Sequence, residues 1–337
     1  MKKFVNHSLK SFNTFGFDVS AAEVYEVTQN SDLNELFNLG IFKRSFKIIS
    51  GGSNLLLTKD IEMPIILIRN TGIKLIEETR DHIYLEVSAG ENWHEFVLHT
   101  VDKNWGGIEN LSLIPGCVGA APIQNIGAYG TEVKDIITRV NAFNINSGDT
   151  EIFENEQCKF GYRDSIFKNQ VKDQYIITSV CFKLHKKWTP KTEYGDIKKQ
   201  LSYNGIINPS IKSVSEAIIQ IRQSKLPDPS KIGNSGSFFK NPVISKARAE
   251  ELTKLFPTIK TFNVNDFEVK VAAAWLIDSL GWKGHQENNI GVHEKQALVL
   301  INKGGGKGKD ILTLAQKIQE SVKVKFGIQL EFEVNIW

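Results

Sequence analysis

The sequence predicts an α+β protein with more than one domain, and three observations predict it. The chain has 337 residues, beyond the size at which one hydrophobic core keeps growing. Its first third alternates short period-two and period-3.6 patterns, as mixed strands and helices do. After residue 205 a run of helical patterns with its own start and stop signals points to a second folding unit.

The elements follow in order. Residues 31–39 read as a capped helix, and residues 46–49, 64–68 and 83–87 as apolar strands. Residues 92–101 place Trp93, Phe96, Val97, Thr100 and Val101 on one helical face. Residues 139–145 and 175–184 read as strands, the first ending at the turn Asn146-Ser-Gly-Asp149. Near residue 205 the chain passes to a helix opening with the capping box Ser213-Val-Ser-Glu216, which marks a domain boundary. That helix buries Val214, Ala217, Ile218 and Ile221 and stops before Leu226-Pro-Asp-Pro-Ser230. Helices at 246–256 and 269–280, a strand at 296–301 and a helix from Asp310 complete the pattern. In residues 330–336, Glu331, Glu333 and Asn335 share one side of an expected strand.

Composition narrows the function classes. Hydrophobic residues make up 41% and charged residues 23%, as in an ordinary globular protein. A net charge of +3 is too small for a general nucleic-acid binder. No apolar segment follows the basic start Met-Lys-Lys, and none is long enough to span a bilayer, so a cytoplasmic protein with no membrane partner is expected. Cys117, Cys158 and Cys181 are odd in number and far apart, which fits free thiols in a reducing compartment. His94 and His99 are five residues apart and there is no CxxC, so no metal site is expected.

Residues 115–130 carry four glycines, three alanines and two prolines without one charged side chain. Small residues let a backbone approach a bound group and aim successive N–H donors at it, although a tight loop has the same composition. The amides Gln124 and Asn125 inside this apolar run need partners if buried. A second glycine turn, Ser50-Gly-Gly-Ser-Asn54, follows a predicted strand and suits a phosphate, or a plain turn. Neither stretch fits GxGxxG, and Gly304-Gly-Gly-Lys-Gly-Lys-Asp310 lacks the P-loop spacing, leaving Asp310 as a helix cap. Arg163 lies among aromatics, where a guanidinium clamps a carboxylate or pairs with Asp164; Ser237 is a candidate proton donor or a turn hydroxyl.

These segments, in this order, resemble the UDP-N-acetylenolpyruvoylglucosamine reductase family nearly end to end. The resemblance runs through Asn13-Thr-Phe-Gly16, residues 50–54, Gly90-Glu-Asn-Trp93, residues 111–130 and 160–168, and Tyr194-Gly-Asp196. It continues through Lys225-Leu-Pro-Asp-Pro229, residues 233–242, Trp275-Leu-Ile-Asp278 and Gln296-Ala-Leu-Val-Leu300. It implies the FAD-binding fold of the vanillyl-alcohol-oxidase-like type, with two α/β subdomains at 1–75 and 76–207. A C-terminal α+β substrate-binding domain follows at 208–326, and a last strand at 327–337.

The resemblance assigns both glycine stretches to FAD: Ser50, Gly51, Gly52, Ser53 and Asn54, then Gly116, Gly119, Ala120, Gln124, Asn125, Ile126, Gly127 and Ala128. It implies a monomer that uses NADPH to reduce the enolpyruvyl group of a UDP-sugar to UDP-N-acetylmuramate, for peptidoglycan synthesis. Hydride passes through the flavin to C3 of that group, and negative charge gathers at C2 and the carboxylate. Arg163 then faces the carboxylate, Ser237 protonates C2, and Glu333 assists near the same group as a hydrogen-bond donor if desolvation keeps it protonated. Tyr194, with the loop 188–193, marks the longer form of the enzyme and closes on the UDP moiety; Lys225, Asn241 and Gln296 bind the nucleotide end.

One departure concerns the last segment. The family's Glu-Pro-Glu-Val reads Glu331-Phe-Glu-Val334 here, which frees one φ angle at Phe332. Two other classes stay open from the residues alone. One is a different flavoenzyme of the same fold, with flavin attached through Cys117; the other is a nucleotide-sugar binding protein without catalysis.

Overall fold

The computed structural model describes residues 1–337, which divide into two compact units. The first comprises Met1–His7, Ala21–Gly51 and Glu62–Ser224; the second comprises Ser8–Ser20, Gly52–Ile61 and Lys225–Trp337.

The first unit holds two larger sheets and a two-stranded one, Gly127–Ala128 with Thr131–Glu132. In one, the strands run in the order Lys2–Ser8, Ser20–Val27, Ile65–Ile68 and Lys47–Ile49. Ile65–Ile68 pairs in parallel with both of its neighbours. All four of its residues are buried, as expected of a parallel strand covered on both faces. The second sheet is antiparallel, in the order Thr150–Glu154, Ile137–Asn144, Tyr175–His185, His82–Ser88 and Ile73–Glu78. The strand His82–Ser88 alternates buried and half-buried residues, so Ile83, Leu85 and Val87 enter the core while Tyr84 and Glu86 turn outward.

Helices α1 (Asn30–Asn38) and α2 (Trp93–Asp102) pack into that core. Asn92 caps α2 by accepting from the Glu95 N–H, and Trp93, Phe96, Val97, Thr100 and Val101 are the buried face that the periodicity predicts. Helices α3 (Ile197–Tyr203) and α4 (Ile211–Lys225) form a smaller cluster through Ile197, Leu201, Val214, Ala217, Ile218 and Ile221.

The predicted start of α4 is displaced. The helix begins at Ile211, and Ser210, not Ser213, is its opening residue: Ser210 and Ser213 exchange N–H to hydroxyl bonds of 2.8 and 3.1 Å. The helix lies in the first compact unit, whose last segment runs from Glu62 to Ser224.

The second unit has an antiparallel sheet in the order Gly233–Ser237, Val299–Asn302, Ile290–Val292 and Gln286–Glu287. Helix α5 (Lys246–Leu255) lies beside a three-stranded sheet, and α6 (Ala273–Ser279) and α7 (Gly308–Phe326) complete the unit. Its core gathers Phe238, Phe239, Leu276, Ile277, Leu300, Ile311, Leu314, Ile318 and Val322.

Three expectations are corrected in this unit. Of the predicted helix 269–280, residues Glu268–Val271 are a strand pairing on both sides, because the β-branched Val269 and Val271 bury between neighbours. The predicted strand 296–301 begins at Val299, leaving Gln296 in the preceding loop. Residues 330–334 make only a single bridge, Phe239 to Phe332, and regular pairing is confined to Asn335–Ile336 alongside Leu55–Leu56. Asp310 sits inside the first turn of α7, where its carboxylate accepts from the Lys307 N–H at 3.2 Å.

All three cysteines are free and buried. Burial pushes the Cys158 thiol up to about 12 and raises those of Cys117 and Cys181, the last against the opposing Arg139 guanidinium. No helix is long and apolar enough to cross a membrane.

Candidate functional site

Residues 115–130 are a loop clamped to the first unit by its own backbone. Gly116 O accepts from the Trp93 N–H at 3.0 Å, the Val118 N–H donates to Glu91 O at 2.9 Å, and the Gly119 N–H donates to Ala89 O at 2.8 Å. Asn125 is fully buried. Its Nδ2 donates to Gly161 O at 2.9 Å and to Glu132 Oε2 at 3.2 Å, and its Oδ1 accepts from the Lys134 N–H at 3.1 Å. The side chain therefore fastens the loop, and the Asn125 N–H is turned inward too, toward Pro122 O at 3.4 Å. Nine non-glycine residues adopt positive φ, and four of them, Leu113, Asn125, Tyr129 and Arg163, lie on or beside this stretch. Such concentrated strain marks a functional site.

The turn at Ser50 closes against the same loop. A Cβ added at Gly51 would stand 2.7 Å from Gly116 Cα, so the two backbones meet with room for glycine alone. Arg69 Nη1 donates to Ser50 O at 3.1 Å. Ser50 Oγ is buried against the Cys117 thiol and meets no oxygen or nitrogen of the protein. A hydroxyl in that state, on a cradle of glycines free of acids, fits the anionic and polar parts of a dinucleotide cofactor. The raised pKa of Cys117 leaves it a thiol, a poor nucleophile for covalent attachment of flavin.

Arg163 has φ of 54°, in a turn where Gly161 bridges Asp164. Its Nη2 donates to Gly127 O at 3.0 Å, and its guanidinium lies 5.7 Å from the Tyr162 ring centre. The guanidinium is thereby held at the edge of the small-residue loop. The carboxylate of Asp164 accepts from Asn169 Nδ2 at 2.7 and 2.9 Å.

Tyr194 follows a loop fastened at two points. Trp188 Nε1 donates to the buried Glu109 at 2.8 Å, whose other oxygen accepts from the Gly107 N–H at 2.6 Å. Asn110 Nδ2 donates to both Tyr129 O and Lys191 O at 2.9 Å. Beyond these anchors Tyr194 is 55% exposed, with Gly130 against its Cβ.

In the second unit, Gly52 and Asn54 support the chain around Ser237 and Glu333. A Cβ at Gly52 would stand 1.9 Å from Phe12 O, and φ there is 59°, so no other residue fits. Asn54 Nδ2 donates to Glu333 O at 3.0 Å, and the Glu333 N–H donates to Phe238 O at 2.9 Å. Ser53 is half-buried between them in sequence. Ser237 ends a strand whose register slips between Asn234 and itself, with Gly236 at φ of 70°. That bulge re-aims the serine.

Glu331 and Glu333 are separated by their surroundings. Glu331 is exposed and pairs with Lys240 at 2.8 Å, whereas Glu333 is half-buried. Phe332 packs on Phe238 and Phe239 at 5.5 and 5.6 Å between ring centres, so an aromatic contact fixes the segment where the family has a proline. Asn241 Oδ1 accepts from the Ala273 N–H at 2.9 Å, leaving Nδ2 as its outward donor. Lys225 is exposed at the end of α4, and Gln296 Oε1 accepts from the Leu298 N–H at 3.4 Å.

Residues 228–337 match the family described as UDP-N-acetylenolpyruvoylglucosamine reductase, C-terminal domain, and residues 22–153 match an FAD binding domain. The UDP-N-acetylenolpyruvoylglucosamine reductase of Flavobacterium johnsoniae is 50% identical over 332 residues, 98% of each chain. The chain belongs to this reductase family. The reductase of Pseudomonas aeruginosa is 42% identical over 98% of this chain and 97% of its own. Among solved structures, the Thermus caldophilus reductase superposes with a TM-score of 0.69 at 23% identity, covering 100% of this chain and 98% of the other. The 6-hydroxy-D-nicotine oxidase of Arthrobacter nicotinovorans gives 0.51 at 10% identity, over 92% and 81%. The fold is thus the FAD-binding fold of the vanillyl-alcohol-oxidase-like flavoproteins, with the reductase family's own C-terminal domain.

Two side chains that hold the site together escape a reading by motif. Glu109 and Asn110 anchor the tyrosine loop from a three-residue turn with no pattern of its own.

Proposed function

We propose that this protein reduces the enolpyruvyl group of UDP-N-acetyl-3-O-(1-carboxyvinyl)-glucosamine to UDP-N-acetylmuramate, with FAD as cofactor and NADPH as reductant, in peptidoglycan precursor synthesis. The observation that carries the reading is identity of 42–50% over nearly the full length to reductases of that name. Bound FAD supplies hydride acceptance from NADPH and hydride donation to the substrate.

The chain's own groups supply the rest. The two glycine stretches hold the cofactor through backbone N–H groups and Ser50 Oγ, with no competing acid. Arg163, fixed by its bond to Gly127 O, holds the substrate carboxylate and stabilises the charge that develops beside it. Ser237 delivers the proton to C2, and the bulge that precedes it sets the direction of its hydroxyl. Glu333 acts near the carboxylate end. Its fixed backbone and half-buried place support it over Glu331, whose carboxylate is taken by Lys240. Tyr194, Lys225, Gln296 and the Nδ2 of Asn241 bind the nucleotide end of the substrate. The protein works as a cytoplasmic monomer.

The test is NADPH oxidation by the purified yellow protein in the presence of the UDP-enolpyruvyl sugar. Turnover that depends on the sugar supports the reading, and its absence in protein that holds FAD overturns it.

A further inference from the structure

Asn110 holds two loops with one amide. It is fully buried, and its Nδ2 donates to Tyr129 O and to Lys191 O, both at 2.9 Å. Both acceptors are carbonyls, so the NH₂ end of the amide must face them. The Oδ1 left behind is buried and accepts from no donor, a cost that only the two bonds offset. The turn that carries Asn110 is itself fixed: Trp93 Nε1 donates to Leu111 O at 3.0 Å, and Ser112 Oγ to Glu109 O at 2.7 Å. Asn110 is therefore a rigid post against which both loops are set.

The two loops also meet each other. Tyr129 and Gly130, with φ of 50° and 77°, form the turn of the hairpin Gly127–Ala128 and Thr131–Glu132 at the end of the small-residue loop. A Cβ on Gly130 would stand 3.2 Å from Tyr194 Cβ, and one on Gly195 would stand 3.6 Å from the Tyr129 ring. Residues 129–130 thus pack on residues 194–195, and the same hairpin carries Gly127 O, to which Arg163 is fastened. One side chain fixes both the hairpin that closes the cofactor stretch and the chain that leads to Tyr194.

We propose that Asn110 is a positioning residue that couples the two ligands of the enzyme: FAD seated on the hairpin's loop sets the place of Tyr194, and a nucleotide held by Tyr194 steadies that loop in return, so each ligand tightens the other. The inference rests on the reading of residues 116–128 as the cofactor stretch and of Tyr194 as a contact of the nucleotide end. Such coupling is reciprocal: the factor by which FAD tightens a nucleotide is the factor by which the nucleotide tightens FAD. A shared amide suits it, because a shift of either carbonyl strands an Nδ2 donor beside an Oδ1 that already lacks a partner.

The experiment uses the FAD-loaded full chain and UDP as the probe. The FAD dissociation constant is read from the fluorescence of flavin released on serial dilution, with and without saturating UDP, in the parent, Asn110→Ala and Asn110→Asp; heat unfolding is followed on each. In the parent, UDP is expected to tighten FAD about fivefold or more. In both variants that ratio is expected to fall toward one, and the KM for the UDP-sugar to rise with little change in kcat. If Asn110→Ala does not fold, Asn110→Asp, which keeps the shape and lacks the donors, is read in its place. No effect of UDP on FAD in the parent overturns the proposal. A ratio that survives in the variants overturns it too, and if heat stability or FAD affinity alone has dropped, Asn110 is structural. A parent that holds no FAD or takes up no UDP would instead overturn the functional reading beneath the proposal, a distinct result visible before any variant is made.

Discussion

The loop at 115–130 in the first unit and the Ser237 and Glu333 region in the second are built by opposite means. In the loop, side chains hold the backbone: Asn125 makes three internal bonds and Asn110 two, while Trp188 rests on Glu109. In the second region the backbone holds the side chains, through the Phe239 to Phe332 bridge, the Glu333 N–H on Phe238 O and the bulge before Ser237. The difference teaches which atoms are left for a ligand. A site that offers backbone N–H groups uses up its polar side chains as fasteners, and one that offers a hydroxyl and a carboxylate must fix them from behind.

The comparison can be broken most sharply at Ser237. Ser237→Ala is expected to leave flavin reduction by NADPH fast and to slow flavin reoxidation by the sugar by about 10²–10⁴-fold, measured by stopped-flow absorbance. Equal losses in both halves would make the serine a fastener too. Next comes Gly51→Ala, whose Cβ would meet Gly116 backbone at 2.7 Å; flavin affinity is expected to drop about a hundredfold or more, read from flavin content after dialysis. Retained flavin would show that the loop is less tightly closed.

Asn125→Ala strips three bonds from a buried position and is expected to cost ~2 kcal/mol or more in unfolding free energy, with flavin content falling in step. Trp188→Phe removes a donor from the buried Glu109, with an expected cost of ~1–2 kcal/mol and a raised KM for the UDP-sugar at little change in kcat.

The smallest effect is a dependence on pH. Burial first, and Arg222 with it, holds His94 in the folded protein below the ordinary imidazole value of 6.5, against Glu95. Its contribution is therefore complete above that unfolded value and is lost as pH falls from about 6.5 toward the folded pKa, because the unfolded chain then binds the proton more readily. His94→Gln should flatten the decline of melting temperature across that acid range; an unchanged slope would show that His94 does not set it.

The sequence made some of these features plain and hid others for physical reasons. The α2 face and the strands at 82–88 and 175–185 were legible because each buries one periodic set of side chains. The glycine stretches and Arg163 stand out by composition and resemblance, and the structure packs them against one another. The strand Glu268–Val271 was hidden, since four apolar-rich residues leading into a helix match either period. The start of α4 was hidden because Ser210 and Ser213 both satisfy a cap, and geometry alone decides between them.

The burial of the three cysteines bears on survival in use. Reduced flavins hand electrons to dioxygen and so release peroxide beside the protein that carries them. Peroxide attacks thiolates, and here burial keeps Cys117, Cys158 and Cys181 protonated and out of reach, including the one in the cofactor loop. The molecule is therefore armoured against the by-product of its own idling.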